Sequence, residues 1–386
     1  MSWLTLLHHE FKAIFTHKPL LLTVFGGVLM YSFLYPLPYS QQLPRQQEVV
    51  MVNLDNSQLS RQLERMIEAT PQVRITEHRS SIDAGKALIL NNQVSGIVVI
   101  PPHFYRDLLL GQTPTIAYGG DAAYFLVYGT IVEGIASASG TLGAQIKVSH
   151  RLLSGEPVSL ASEQFTPFKL NMVPVFNPTM GYIHYVVPAV FVLILHQTLL
   201  IATSLLGGEQ RQAQAKGING YWLNAFPLQL MACRTVILMA IYLLLTMFYF
   251  GFSFSYYQIN QLANLSDIVM FMFPLLLSVI FLGMVIGQLI PRPELATVIG
   301  IIMSLPLIFS IGFIWPNSAI PALISMVANF IPATPAINGL LRVNQMGASF
   351  DQVAQCCVQL WALVAIYGMT AYILIARSQQ RSKLTS

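Results

Sequence analysis

Charge is the scarcest property of this sequence. Of 386 residues, 20 are basic and 16 are acidic, so charged residues make up 9% of the chain, whereas soluble domains carry about 25%. Hydrophobic residues make up 54%, and a soluble globule of this composition would expose large apolar patches and aggregate. The composition therefore excludes a cytosolic enzyme. The net charge of +4 does not indicate nucleic-acid binding either.

The charges that are present are concentrated in one segment. Residues 39–170 hold 21 of the 36 charged residues, and the other 254 residues hold 15. The chain is therefore a hydrophobic body with one soluble insert. The three cysteines, Cys233, Cys356 and Cys357, all lie outside the insert and form no C-x-x-C pair. This excludes a disulfide framework in the insert and argues against a structural zinc site.

The hydrophobic body contains six charge-free apolar windows, and about 20 apolar residues are enough to cross a bilayer. They span residues 20–35, 182–206, 235–254, 268–290, 295–315 and 353–376. The predicted fold class is a polytopic α-helical membrane protein with six transmembrane helices and an α/β extracytoplasmic domain between spans one and two. The predicted domains are a cytoplasmic helix (1–18), the first span (19–38), the extracytoplasmic domain (39–170) and a membrane domain (171–386).

The first 18 residues predict an amphipathic helix that lies on the inner membrane surface. Its polar positions include His8, His9, Glu10 and Lys12. Its apolar face consists of Trp3, Leu4, Leu7, Phe11, Ile14 and Phe15.

Lysine and arginine in the short connecting segments set the orientation. With six spans, eight of them lie on the side that holds both termini, and only Arg342 lies on the other side. Both termini are therefore predicted to be cytoplasmic, and the insert is predicted to lie outside. Arg234 is expected at the inner end of the third span, where it would snorkel toward water.

The insert alternates short apolar runs with helical patterns, which is typical of an α/β domain. Its serines lie in no G-x-S-x-G elbow, so no catalytic set is predicted. The predicted strands are Val49–Leu54, Gln72–Thr76, Gly96–Ile100 and Thr115–Tyr118, and the predicted helices are a stretch beginning near Leu59, Ser81–Leu90, His103–Leu110 and a long one after Asp121.

No phosphate-binding loop of the form G-x-x-x-x-G-K-[ST] occurs in the chain, so it cannot use ATP itself. Gly207 and Gly208 are interpreted as the end of the second span. Outside the insert, no acidic residue is predicted within a span, which argues against ion coupling. Tyr182, His184 and His196 remain as candidate lining of a substrate path, the two histidines being interpreted as polar lining rather than a proton relay.

The segment near residues 317–347 is rich in proline and has no charge before Arg342. A full crossing here would place the basic tail outside, so we predict a broken, re-entrant helical segment. Pro332, Pro335 and Arg342 are its candidate gating residues. An arginine at the bilayer centre costs about 2.5–3.5 kcal/mol on insertion scales, so Arg342 is expected at the interface.

The layout resembles the permease subunits of ABC type-2 exporters, in the subfamily with a large external domain between the first two spans. The resemblance covers nearly the whole chain. It is carried by Val50–Arg61 (VMVNLDNSQLSR), Val94–Gly111 (VSGIVVIPPHFYRDLLLG), Ala117–Asp121, Phe176–Pro178 with Tyr185–Pro188, and Phe330–Gly347 (FIPATPAINGLLRVNQMG).

The resemblance implies a transport subunit of the bacterial inner membrane, powered by separate ATP-binding-cassette ATPase subunits that hold ATP and magnesium. It also implies a second permease subunit, identical or paralogous, and a periplasmic adaptor protein as a further partner. The cargo expected is hydrophobic or amphipathic, such as a drug or lipid. From their cytoplasmic placement, the residues expected to dock the ATPase are Glu209, Arg211, Lys216 and Trp222.

Two alternatives stay open from the sequence. One is a membrane assembly factor or sensor that transports nothing and whose external domain binds a partner. The other is a proton-driven carrier, which the lack of intramembrane acids disfavours. No cofactor is expected in this chain, and no nucleic acid is expected as a partner.

Overall fold

The computed structural model describes residues 1–39, 45–153, 175–177 and 181–385. The chain divides into an insert unit, Gln41–Pro174, and a membrane unit formed by Met1–Ser40 and Val175–Ser386. The predicted domain limit at residue 170 lies outside the described residues, as does Pro178 of the segment that resembles the entry to the second span.

The described helices and strands follow each other in this order: α1 (Trp3–Thr16), α2 (Lys18–Tyr39), β1 (Gln47–Asn53), α3 (Gln58–Glu68), β2 (Val73–His78), α4 (Ile82–Leu90), β3 (Gly96–Ile100), α5 (Phe104–Leu109), β4 (Ala117–Gly120), α6 (Phe125–Leu153), α7 (Val186–Ala215), α8 (Pro227–Tyr256), α9 (Leu265–Leu289), α10 (Leu295–Ser310), α11 (Ala322–Ala328), α12 (Ala333–Met346) and α13 (Phe350–Thr385).

The insert unit is built on a four-stranded sheet with strand order β2-β1-β3-β4. β1 pairs in parallel with both β2 and β3, and β4 closes the sheet antiparallel to β3. Four consecutive residues of β1, Val49–Val52, are buried, because a parallel strand covered on both faces has no solvent side. The predicted α/β domain between the first and second spans is confirmed.

Local sequence explains where the insert helices begin. The Ser57 side chain accepts a hydrogen bond from the amide of Ser60 at the start of α3, and Ser81 does the same for Ala84 at the start of α4. Such serine caps satisfy amides that have no partner within the helix. Both helices therefore begin where the sequence predicted them.

Helix α6 packs on the sheet through one face. Its residues Ile131, Ile135, Ala138 and Leu142 belong to the same buried cluster as Val49 of β1. α6 is also long and apolar enough to cross a membrane by length and composition alone. Because its buried face completes the core of the insert unit, we place it in that unit, as the sequence predicted.

Six described helices are long and apolar enough to cross a bilayer by length and composition, which is the predicted number. Five of them belong to the membrane unit (α2, α7, α8, α9 and α13), and α6 belongs to the insert unit. The set of helices that meet this criterion differs from the predicted set of spans in two ways. α6 meets the criterion, and the predicted span 295–315 contains the 16-residue helix α10, about 24 Å long at 1.5 Å per residue. That is shorter than the hydrocarbon core of about 30 Å.

Helix α7 lies at the centre of the membrane unit and packs most extensively on α9. A Cβ added at Gly287 of α9 would lie 2.9 Å from the Cα of Gly207 and from the carbonyl oxygen of Ser204. The prediction that Gly207 and Gly208 end this helix is wrong, since α7 continues to Ala215. These glycines let two membrane helices approach closely, as small residues do where no solvent drives association.

Helices α11 and α12 form a broken pair that bends by 92°. Pro332 occupies the N-cap of α12 and Pro335 its first turn, where a missing amide hydrogen costs no intrahelical bond. Gly347 ends α12 in the left-handed region, with φ of 66°. The break agrees with the predicted helical interruption, and its path in the membrane stays a prediction.

Candidate functional site

One ionic contact is buried inside the membrane unit. Arg234 of α8 donates from Nε to Glu10 Oε2 at 2.8 Å and from Nη2 to Glu10 Oε1 at 2.9 Å. Glu10 has no exposed surface and Arg234 is 2% exposed. Because the two guanidinium bonds are parallel and reach both carboxylate oxygens, the pair is fixed in direction as well as in distance.

Two further side chains complete this contact. Arg234 Nη2 donates to Gln210 Oε1 at 2.7 Å, and the Tyr221 hydroxyl donates to Glu10 Oε1 at 2.8 Å. Gln210 Nε2 in turn lies 3.2 Å from the Tyr221 oxygen, to which it donates. Burial and the neighbouring Glu10 carboxylate raise the pKa of Tyr221, so its hydroxyl stays a donor. We call Glu10, Gln210, Tyr221 and Arg234 the inner polar cluster.

The pattern of α1 explains how Glu10 becomes buried. Leu6, Glu10 and Ile14 recur every four residues and are fully buried, and α1 packs chiefly on α8. The exposed apolar residues of α1 are Trp3, Leu4, Leu7, Phe11 and Phe15. These five residues belong to the predicted apolar face, but Ile14, which was predicted on the same face, is buried in the core. Glu10 was predicted at a polar position, and the expectation that Arg234 snorkels to water is wrong, because both side chains are buried.

The four predicted docking residues have different environments. His17 Nε2 lies 2.6 Å from Glu209 Oε1, while its Nδ1 accepts from the Leu20 amide. Arg211 donates to the carbonyl oxygens of Gln288 and Ile290 at the end of α9.

Trp222 is partly buried, and its carbonyl oxygen accepts from Gln379 of α13 at 2.7 Å. Lys216 is exposed. The structure thus uses Glu209, Arg211 and Trp222 to hold this end of the unit together, and Lys216 faces solvent. Sequence reasoning missed Glu10, Gln210 and Tyr221. A glutamate at helical spacing between Leu6 and Ile14 was the one signal that could have pointed to them.

The predicted path residues do not form a common lining. Tyr182 packs on Tyr39 and Tyr185, with ring centroids 5.5 and 6.0 Å away. His184 is 5% exposed. His196 is fully buried within α7, and neither ring nitrogen has a hydrogen-bond partner among the described residues. None of the three lines the cavity described next.

At the other end of α7, near Tyr185, the membrane unit contains a cavity of about 680 Å³. Pro335 and Arg342, two of the predicted gating residues, line it, whereas Pro332 does not. We call it the outer polar cavity. Its polar lining consists of Asn177, Tyr185, Asn317, Asn329, Asn338, Gln345, Gln355, Cys356, Gln359 and Arg342.

Among the described residues, no group of three or more histidine, cysteine, aspartate or glutamate side chains could hold a metal ion. Comparison with protein families gives a match to the ABC-2 family transporter protein over residues 18–373. No curated protein matches the chain. The family match spans both units, from α2 to within α13. The chain therefore belongs to the ABC-2 transporter family, as a multi-pass permease membrane subunit that has no ATPase domain of its own.

Proposed function

We propose that this permease exports a hydrophobic or amphipathic substrate, driven by ATPase subunits that bind at the end of the unit where the inner polar cluster lies. ABC-2 permeases pair with ABC ATPase subunits. The observation that carries the proposal is the inner polar cluster. It joins α1, the end of α7, the following loop and α8 through side chains that are bonded to one another.

The geometry supports a mechanical role for this cluster. A bidentate ion pair between two buried groups is stiff, because separation would leave each charge buried without its opposite charge. Tyr221 belongs to the loop after α7, and Glu10 belongs to α1. A displacement of the loop therefore moves α1 and α8 together, and Arg211 carries it to the end of α9.

The docking surface proposed is the turn that follows α7. Lys216 and Ile218 are exposed there, and Ile218 has 55% of its surface free. Gly217 adopts a left-handed conformation, φ 76°, which permits the tight reversal. An apolar side chain beside a cation on a protruding turn suits a groove on a protein partner. Glu209, Arg211 and Trp222 would act behind it as the support of the turn.

The remaining features of the assembly are part of the same proposal. The lysine and arginine distribution supports cytoplasmic termini and an external insert in a bacterial inner membrane. The exposed apolar stripe of α1 supports contact with membrane lipids. A second permease subunit would complete the path, and the insert would be the surface for a periplasmic adaptor protein.

The test is affinity purification of the tagged full chain from its native membrane, followed by measurement of ATP hydrolysis in the eluate. We expect an ATPase subunit to co-purify. The K216E variant, combined with I218D, should lower its recovery several-fold. R292E is the matched control, because Arg292 is also exposed and lies outside the turn.

Three outcomes would contradict the proposal. Strong ATP hydrolysis by the purified chain without a partner would remove the need for an ATPase subunit. Equal recovery with both variants would exclude the turn as the docking surface. Recovery of a partner without any change in substrate efflux on ATP depletion would favour a membrane assembly factor or sensor.

A further inference from the structure

The outer polar cavity is unusual in composition for a membrane unit. Its polar side chains are seven amides, the Tyr185 hydroxyl, the Cys356 thiol and a single cation, Arg342, and no carboxylate occurs among the described residues that line it. Polar groups are costly inside a membrane domain and mark functional sites there. A wall of amides with one positive charge has both hydrogen-bond donors and acceptors, and it repels cations.

The polar residues are arranged as stripes on two helices. On α12, Asn338, Arg342 and Gln345 follow each other at steps of four and three residues, so they share one face. On α13, Gln355 and Gln359 are one turn apart and line the same cavity. Two helices that direct polar stripes into one space form a binding surface that neither helix would form alone.

Hydrogen bonds hold parts of this wall in place. Gln359 Nε2 donates to the Asn329 carbonyl oxygen at 2.8 Å, and Gln345 Nε2 donates to the Asn260 carbonyl oxygen at 3.2 Å. These contacts fix the amide oxygens of both glutamines and tie the wall to neighbouring segments. A preformed wall loses less conformational entropy on binding than a mobile one.

Apolar residues complete the lining. Phe313, Leu341 and Met346 lie in the same cavity as the amides and Arg342. Ligand sites typically combine an apolar lining with a few polar groups that fix orientation. A ligand that matches both parts has an apolar portion and a polar head that accepts hydrogen bonds.

We propose that the outer polar cavity binds the substrate, and that the substrate class is an amphiphile with an anionic head, such as a phosphate or carboxylate. Arg342 pairs with the anion, the amides bind its remaining oxygens, and the apolar residues contact the tail. The proposal rests on the proposed export function and narrows its substrate class. Arginine is suited to this task because its planar fork of donors matches phosphate and carboxylate oxygens.

The experiment measures binding to the full chain in nanodiscs of phosphatidylcholine, a lipid without net charge. The probes are dodecyl phosphate and dodecyltrimethylammonium, which share one alkyl tail, and inorganic phosphate alone. We expect dodecyl phosphate to bind and the other two not to bind above the level of empty nanodiscs. R342Q should weaken dodecyl phosphate binding about tenfold, the size expected for one lost charge-assisted hydrogen bond, and R342K should restore part of it.

Two controls keep the result specific. R292Q removes the same charge at an exposed position outside the cavity and should bind dodecyl phosphate as the parent chain does. Q355A keeps the charge of the cavity and removes one amide, and it should weaken binding less than R342Q does. Size-exclusion chromatography establishes that each variant is folded before binding is compared.

The proposal is overturned if the cationic probe binds as well as the anionic one, or if R342Q leaves dodecyl phosphate binding unchanged. Binding of inorganic phosphate at equal affinity would show a site for a soluble anion and exclude the amphiphile. Co-purification of the ATPase with R342Q should be normal, because the cavity and the inner polar cluster lie at opposite ends of α7. Failure of the parent chain to bind dodecyl phosphate while the ATPase co-purifies normally would refute this site alone. Arg342-dependent binding of dodecyl phosphate without any co-purifying ATPase would refute the proposed function alone.

Discussion

The inner polar cluster and the outer polar cavity both place polar side chains in an apolar helix bundle, but they do so in different ways. In the cluster, the Glu10 carboxylate and the Arg234 guanidinium are buried and paired with each other and with two neutral partners. In the cavity, Arg342 is exposed and surrounded by amides, and the described residues that line the space include no carboxylate. A closed set of mutual bonds holds helices together, whereas an open set is available to a ligand.

Breaking the Glu10–Arg234 ion pair is expected to cause the largest loss of stability, and it tests whether the inner polar cluster holds helices together. E10A leaves the Arg234 guanidinium buried without its carboxylate, and removal of one partner from a buried pair costs about 3–5 kcal/mol. Thermal unfolding of the detergent-solubilised chain should show a strongly lowered midpoint.

A variant that lacks both charges distinguishes the contribution of the ion pair to stability from the contribution of the packing around it. In the double variant E10L with R234M no charge is left unpaired, so it should recover most of the stability that E10A loses. Substrate efflux should remain low with the double variant if the bonds themselves transmit force. A double variant as unstable as E10A would show that shape, rather than charge, holds this contact.

The helix contact behind the cluster gives the next largest effect. G287L would press a side chain against the Gly207 backbone, and overpacking of a well-packed contact typically costs about 1–3 kcal/mol. The unfolding midpoint should fall, and efflux should fall with it. G251A is the matched control, because nothing lies within 4 Å of the Cβ that it adds; a comparable loss there would refute the packing argument.

Removal of the tyrosine hydroxyl gives a smaller effect within the cluster. Y221F deletes the bond to Glu10 and leaves the bidentate pair intact, so the free energy of unfolding should fall by about 1 kcal/mol, the typical worth of one hydrogen bond. The proposed coupling predicts that efflux falls more than this stability loss explains. Normal efflux per folded molecule would show that Tyr221 does not take part in the proposed coupling of the loop to α1 and α8.

The smallest effect on stability is expected in the cavity. R342Q removes an exposed charge that forms no ion pair with the described residues, so the free energy of unfolding should change by no more than about 0.5 kcal/mol. Unfolding in the same detergent measures it. A loss as large as that of E10A would break the comparison, because Arg342 would then be a structural residue rather than a binding one.

The insert unit shows how much of a fold can be predicted from local sequence pattern. Its strands and helices were predicted within a few residues, and Gly96–Ile100 was predicted at the bounds the structure gives. Short apolar runs, serine caps and proline stops act on neighbouring residues, so they can be read along the chain. The predicted order of elements also held, but the antiparallel pairing of β4 with β3 came only from the structure.

The membrane unit shows what local sequence pattern cannot predict, namely contacts between residues that are far apart in the chain. No local pattern pairs Glu10 with Arg234, because the two are separated by 224 positions and the surroundings of each predicted contact with water. Gly207 and Gly208 were misinterpreted for the same reason, since a glycine that ends a helix and a glycine that admits a neighbouring helix look alike in one segment. The G-x-x-x-G spacing of Gly283 and Gly287 was the signal that could have distinguished them.

By itself the sequence determined that this protein is a membrane protein and that an α/β domain interrupts the apolar chain after its first span. Composition and hydrophobic periodicity settle these points, because the preference of a side chain for lipid or water does not depend on which distant parts of the chain it contacts. Only the tertiary structure decided that α1 is fastened to α8 by a buried ion pair and that polar stripes of α12 and α13 face one cavity. Those facts depend on which surfaces meet, and residues far apart in the chain become neighbours only when the helices pack.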